Sequence, residues 1–173
     1  MRLVAPVRVF RILALTLAIA SGLPIAAHAQ NADSITGVWL TEGGKSKVQV
    51  TRTRTGFLGR IIWLREPNYV PADRDTYLRD KSESEYRQRL GKPKRDGFNP
   101  DESKRTRPIL GLAVLNGFKY SGDGVWESGT IYNPEDGKTY NCKMTLQGNR
   151  LDVRGFIGIS LFGKTTTWTK ASG

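Results

Sequence analysis

With 173 residues the chain is long enough for one domain, and its 27 Lys and Arg residues outnumber its 16 Asp and Glu residues, for a formal net charge of +11. It contains one cysteine, Cys142, and one histidine, His28. A lone cysteine excludes an internal disulfide, and the loss of His28 described next excludes sites that need an imidazole. The composition therefore favours a basic domain that folds on its own apolar core.

Residues 1–29 have the pattern of a cleaved signal peptide. Three arginines precede an apolar run at 12–20, which is shorter than the roughly 20 residues of a membrane-spanning helix. Small residues on both sides of His28 predict cleavage before Gln30, the alternative being an uncleaved membrane anchor. Without those arginines, 24 basic and 16 acidic residues leave a net charge of about +8. We expect a periplasmic or secreted protein, 30–173, with no stable membrane span.

From residue 35 onwards, short segments of alternating apolar and polar residues are separated by turns. The predicted strands are 36–41, 45–55, 57–64, 109–120, 125–132, 138–147, 150–156 and 165–170. In 138–147, one face carries Tyr140, Cys142, Met144 and Leu146, so Cys142 is interpreted as a small buried hydrophobe. About eight strands at hairpin spacing predict an all-β, antiparallel barrel, with a β-sandwich as the alternative.

The segment 65–107 interrupts this pattern. Of its 43 residues, 12 are basic and 9 are acidic. One or two helical turns are predicted at 82–90, with Ser82 or Ser84 as the N-cap. Because the segment has few apolar residues, we expect a long, charged insertion that is mobile, solvated and without a core of its own.

Two sets of residues are candidates for ligand binding. Arg52, Arg54, Arg60 and Arg65 lie on both sides of the turn at Gly56 and are predicted to form a cationic face for phosphate or carboxylate groups. The alternative is an ordinary solvated strand face.

The second set is Tyr132 and Tyr140, which flank an acidic turn carrying Glu135 and Asp136. These two tyrosines are either part of a binding site or the packed side chains of a well-formed hairpin.

No catalytic residue is predicted. The mature chain has scattered carboxylates, among them Glu42, Glu127 and Asp152, but no nucleophile elbow, phosphate-binding loop or paired-cysteine motif. Paired-carboxylate hydrolysis stays open, because the geometry that it needs cannot be read from spacing. No cofactor and no metal site are predicted.

Six stretches, in chain order, resemble a family of small secreted bacterial proteins, the domain of unknown function number 2147. They are Gly37-x-Trp39, Leu58-Gly59-Arg60-Ile61, Arg107-Pro108-Ile109-Leu110-Gly111, the motif from Gly129 to Tyr140, the motif from Leu151 to Gly158, and Phe162-Gly163 ahead of Trp168. The resemblance covers about residues 36–170 and implies an exported, lipocalin-like barrel, with no catalytic residues to carry over. The insertion is longer and more charged than this resemblance leads us to expect.

Gly37, Trp39 and Lys170 are interpreted as a barrel-closing set. In lipocalin-like barrels a Gly-x-Trp at the first strand closes one end, and a basic side chain of the last strand lies across the indole. Lys170 stands where arginine is expected, and lysine preserves the positive charge at this position. The alternative is a core tryptophan next to a flexible glycine.

We therefore expect an exported, non-catalytic binding or envelope-maintenance protein, whose barrel holds a small amphipathic or anionic lipid-like ligand behind a basic rim. The first alternative is a structural or interaction protein that docks its insertion on an envelope partner or anionic polymer. The second is a hydrolase that acts through carboxylates. Nucleic acid suits the positive charge, but its absence from the expected compartment argues against it as a partner.

Overall fold

Eight antiparallel strands close into a barrel in the computed structural model, which describes residues 31–79 and 81–171. The strands are β1 Gly37–Leu40, β2 Ser46–Thr53, β3 Gly56–Leu64, β4 Ala113–Gly122, β5 Val125–Asn133, β6 Lys138–Gln147, β7 Arg150–Phe156 and β8 Lys164–Lys170. Each pairs with the next along the chain, and β8 returns to pair with β1. The predicted antiparallel barrel is confirmed, and the β-sandwich alternative is wrong. The predicted signal peptide lies outside the described residues.

Large apolar side chains occupy the interior of the barrel. The alternation predicted for β6 places Cys142, Met144 and Leu146 in the core, and Trp126 and Phe118 from neighbouring strands are fully buried with them. Seventeen buried residues form this one cluster. Because these side chains pack against one another inside the barrel, they form the apolar interior that we expected, and it is occupied by a core.

One end of the barrel, here called the closed end, is covered by the 3-10 turn Ala32–Ile35. Ile35 is fully buried, and its carbonyl accepts a hydrogen bond of 2.8 Å from the Trp39 indole. The Trp126 indole donates to the Ala32 carbonyl at 3.0 Å. Two buried indole N–H groups are thus satisfied by the chain that precedes β1, which ties this segment to the core.

Lys170 lies across the outer side of Trp39. Its Nζ is 4.6 Å from the ring centroid and donates to the Thr36 carbonyl at 2.6 Å. A Cβ on residue 37 would come within 3.2 Å of that Nζ, and Gly37 also has a φ of 116°. Glycine is therefore suited to this position for both space and backbone conformation, and the predicted contact between Trp39 and Lys170 is present.

The connection from β3 to β4 folds onto the barrel. It contains the helices α1 Arg74–Tyr77 and α2 Glu83–Arg89. Ser82 caps α2, because its hydroxyl accepts from the Glu85 amide at 3.2 Å while the Glu85 carboxylate accepts from the Ser82 amide at 2.9 Å.

Three tyrosines, Tyr69, Tyr77 and Tyr86, form a buried cluster within this insertion. Tyr77 contacts Tyr69 edge to face, with ring centroids 5.5 Å apart. The hydroxyls of Tyr69 and Tyr86 donate to backbone carbonyls at 3.2 and 3.1 Å. The expectation of a solvated segment without its own core is therefore wrong, because aromatic rings with polar tips supply one. Within the described residues, no helix has the length and apolar character needed to cross a bilayer.

Candidate binding cleft between the barrel and the insertion

A buried carboxylate, Asp96, joins the insertion to the barrel. Its side chain is fully buried and accepts hydrogen bonds from Arg107 at 2.7 Å, from Asn99 at 2.8 Å and from the Tyr132 hydroxyl of β5. Asn99 also donates to the Tyr132 oxygen at 3.1 Å. We call these four residues the Asp96 cluster. A buried charge is tolerated only when it is paired and hydrogen-bonded, and here three donors satisfy it.

Tyr132 stays protonated in this cluster. Burial raises the pKa of its hydroxyl well above the ordinary value, and the hydrogen bond to Asp96 raises it further. A phenol that keeps its proton is a permanent donor to the carboxylate. The Tyr132 hydroxyl therefore remains a hydrogen-bond donor to Asp96 at physiological pH.

A second contact holds the insertion at the turn between β5 and β6. The Phe98 carbonyl oxygen lies where a Cβ on residue 137 would be, only 1.8 Å from it, and Gly137 has a φ of 70°. Arg79 donates to the Glu135 carbonyl at 2.6 Å. Only glycine allows this close approach of two backbones. Gly137 therefore lets the insertion pack directly against the β5–β6 turn.

Between the insertion and the outer wall of the barrel lies a cleft of about 590 Å³. Arg60 is exposed on β3 between the buried residues Gly59 and Ile61, so its side chain points away from the core. Tyr132 pairs with Thr139 of β6 and lies on the opposite strand face from Ile131, and its side chain also packs against the edge of the core. The cleft is thus outside the barrel.

The cleft is lined by both polar and apolar residues. The polar side chains include Arg60, Asn99, Asp101, Lys104, Arg107, Tyr132 and Thr139. The apolar ones are Pro100, Pro108, Leu110, Leu112 and Ala113. Leu110 is half exposed to solvent. The volume is within the range of small-molecule sites, and the lining is more polar than in most of them.

The cleft carries an excess of positive charge. Lys104 pairs with Asp101 at 2.6 Å and holds the pKa of that carboxyl at about 2, while Arg107 is paired with Asp96. Arg60 donates to the Gly111 carbonyl at 3.2 Å. Within the described part of the chain, no carboxylate lies within ion-pair distance of Arg60. Its guanidinium is therefore the cation available to an acidic ligand.

The structure separates the four arginines that the sequence grouped. Arg60 lines the cleft, whereas Arg52 and Arg54 line a depression near the closed end, where Arg52 pairs with Asp33 at 2.8 Å. Arg65 follows β3 and lies beside the β1–β2 connection. The structure does not bring the four arginines to one place, because Arg52 pairs with Phe57 next to the hairpin turn, whereas Arg60 pairs with Gln49 further along the two strands.

The two candidate tyrosines also separate. Tyr132 lines the cleft, while Tyr140 continues the inward face of β6 and donates to Asp136 at 2.7 Å. That hydrogen bond raises the pKa of Tyr140, and burial adds to the effect. Asp96 and Asn99 are partners of Tyr132 that sequence reasoning missed. Phe98, an apolar residue in a charged segment, was the signal that this part of the insertion is buried against the barrel.

The remaining predicted residues lie away from the cleft. Cys142 is 2% exposed, as predicted, and burial raises the pKa of its thiol to about 12. Glu42 and Asp152 both accept hydrogen bonds from Thr167, and Glu127 lies 4.0 Å from Lys143. In the described ranges, no group of three His, Cys, Asp or Glu residues is placed to hold a metal ion.

The closed, eight-stranded antiparallel barrel defines a lipocalin-like fold. It is similar to the structure of a protein from the human pathogen Helicobacter pylori that is described as belonging to the lipocalin family. The two chains are 24% identical, with a TM-score of 0.60, over 79% of this chain and 82% of that chain. No curated protein matches the chain. Residues 37–170 match a family described as an uncharacterized protein conserved in bacteria, the domain of unknown function 2147, and the chain belongs to it.

Proposed function

We propose that this protein is a non-catalytic binding protein that holds a small amphipathic molecule with an acidic head group in the cleft between barrel and insertion. The observation that carries the proposal is Arg60, a guanidinium without a carboxylate partner among the described residues, in a cleft whose lining includes the half-exposed Leu110. An acidic head group would accept hydrogen bonds from Arg60, and its apolar part would cover the exposed Leu110.

Binding outside the barrel is favoured over binding inside it. The interior positions are taken by buried side chains such as Trp126, Phe118 and Met144. A ligand placed there would have to displace a close-packed core, whereas the cleft already has room for one.

The proposal extends to where the protein works. Cleavage before Gln30 would leave a chain of net charge about +8 in the periplasm or outside the cell. Acidic lipids and glycans are abundant there, and a positive field raises their local concentration. N-terminal sequencing of the exported protein tests this part, and retention of Met1 would contradict it.

The alternative of an insertion that docks on an envelope partner receives less support. Phe98 and Arg79 of the insertion contact the protein's own β5–β6 turn, so part of the insertion is held against the barrel. The hydrolase alternative needs two carboxylates facing one cleft. Of the carboxylates at this site, Asp96 accepts hydrogen bonds from three side chains and Asp101 is paired with Lys104.

Isothermal titration calorimetry with dodecanoate, a carboxylate with an apolar tail, tests the proposal. Arg60→Gln removes the charge but keeps a side chain of similar length, and we expect dodecanoate to bind about 10- to 100-fold more weakly, the range for losing a charge-assisted hydrogen bond. Arg54→Gln is the matched control, because Arg54 is an exposed arginine near the closed end of the barrel, away from the cleft. This change should leave the affinity for dodecanoate unchanged.

Dodecyltrimethylammonium, which has the same tail and the opposite charge, should bind weakly to the unmodified protein. Equal affinity for the two amphiphiles, or equal losses in the two arginine variants, would contradict the proposal. Native mass spectrometry of protein purified from the periplasm would identify the molecule that the cleft carries in the cell.

A further inference from the structure

The loop between β7 and β8 exposes four large apolar side chains. Ile157, Ile159, Leu161 and Phe162 are exposed by 74%, 61%, 73% and 80%, more than any other large hydrophobic residue in the described part of the chain. Ser160 is the one polar residue among them, and Gly158 completes the run. Apolar side chains grouped in this way on a soluble domain mark a surface that is covered in use.

The loop is built to hold these side chains outward. Arg154 of β7 donates to the Ser160 carbonyl at 2.7 Å, to the Leu161 carbonyl at 3.0 Å and to the Thr165 hydroxyl at 2.8 Å. The 3-10 turn Ser160–Phe162 lies between these contacts. A single guanidinium thus ties the tip of the loop to both flanking strands and fixes the loop backbone that carries the exposed side chains.

The surroundings of the loop are positively charged. Residues 153–173 contain three basic residues, Arg154, Lys164 and Lys170, and no acidic residue. Lys164 is exposed at the base of the loop and, within the described residues, has no carboxylate within ion-pair distance.

We propose that the 157–163 loop inserts into the interfacial region of an anionic lipid bilayer and holds the domain on the membrane surface. Apolar residues at the tip with cations at the base match the two layers of such a surface, the acyl boundary and the acidic head groups. A second copy of the chain is a poorer occupant, because a symmetric contact would bring Lys164 and Arg154 towards their own equivalents without any acidic residue of the loop to offset them. The proposal does not depend on what the cleft binds.

Co-sedimentation of the purified protein with vesicles tests it. We expect binding to vesicles of phosphatidylglycerol and phosphatidylcholine in equal parts, and much weaker binding to phosphatidylcholine alone. Leu161→Ser with Phe162→Ser should lower the partition coefficient at least tenfold, and Lys164→Glu about tenfold. Leu90→Ser, which removes a 39% exposed leucine of the insertion, is the matched control and should have no effect.

Because the native Cys142 is buried, a cysteine placed on the loop can be labelled alone. The emission of an environment-sensitive fluorophore attached at Ser160→Cys should shift to the blue when anionic vesicles are added. The emission of the same label at Lys92→Cys should not shift. Equal partitioning of the double serine variant and the unmodified protein would overturn the proposal. So would a dimer, seen by light scattering, that the double serine variant abolishes, because the occupant of the loop would then be a second copy.

Discussion

Replacement of Asp96 by alanine tests whether the insertion is a folded part of the protein. The change removes an acceptor of hydrogen bonds from Arg107, Asn99 and Tyr132, and it leaves the buried Asn99 and the half-buried Tyr132 without that partner. Breaking a fully buried ion pair costs about 3–5 kcal/mol. Arg107 is 43% exposed and would regain water, so we expect a loss of about 2–4 kcal/mol in the free energy that holds the insertion to the barrel.

The loss should be local, since the Asp96 cluster touches the barrel mainly through Tyr132. Amide hydrogen exchange followed by mass spectrometry should therefore show faster exchange in 83–107, while 138–147 in the centre of the barrel stays protected. Urea unfolding followed by tryptophan fluorescence reports on the barrel and should change less. Asp75→Ala is the control, because that side chain is 97% exposed and its 3.6 Å contact with Arg74 contributes little.

Unchanged exchange in 83–107 of the Asp96→Ala protein would refute the reasoning. It would mean that the tyrosine cluster and the contact at Gly137 hold the insertion without the buried carboxylate. A loss of protection in 138–147 as large as that in 83–107 would also count against it, because the insertion and the barrel would then unfold as one unit.

Two further predictions concern the barrel itself. In urea unfolding, Trp39→Ala should destabilise the protein by about 3–5 kcal/mol and Lys170→Ala by about 1 kcal/mol. The double variant should lose less stability than the sum of the two, because both changes remove the same 4.6 Å contact. Strict additivity would show that the two residues act separately. Cys142 should resist a thiol reagent at pH 8 to 9 until denaturant is added. The unfolded thiol ionises near 9.0 and the folded one only near 12, so ionisation should also destabilise the fold progressively between these values; rapid labelling of the native protein would contradict this.

The barrel was predictable because its strands follow local rules. Alternation along β6 and the turn signals beside it fix which side chains face inward, and each strand pairs with its neighbour in the chain. The contact of Lys170 with Trp39 joins the first and the last strand, and it was expected from the resemblance to lipocalin-like barrels and not from any local pattern.

The cleft was only half predictable, because it depends on contacts distant in the sequence. Arg60 and Tyr132 stood out as a cation and a phenol on strands, but the partners of Tyr132 lie more than 30 residues away. High charge density in 65–107 suggested solvation, yet Asp96 and Arg107 neutralise each other within that segment. Composition reports how many charges a segment has and says nothing of which of them pair.

The most direct test of the central claim is an NMR titration of the nitrogen-labelled protein with dodecanoate, observing arginine side-chain and tryptophan indole N–H signals together. If the ligand occupies the cleft, the Arg60 Nε–H signal and the backbone amides of Leu112 and Thr139 should move, and the indole signals of Trp126 and Trp168 inside the barrel should stay. Movement of those two indole signals without any change at Arg60 would place the ligand in the barrel interior and contradict the account.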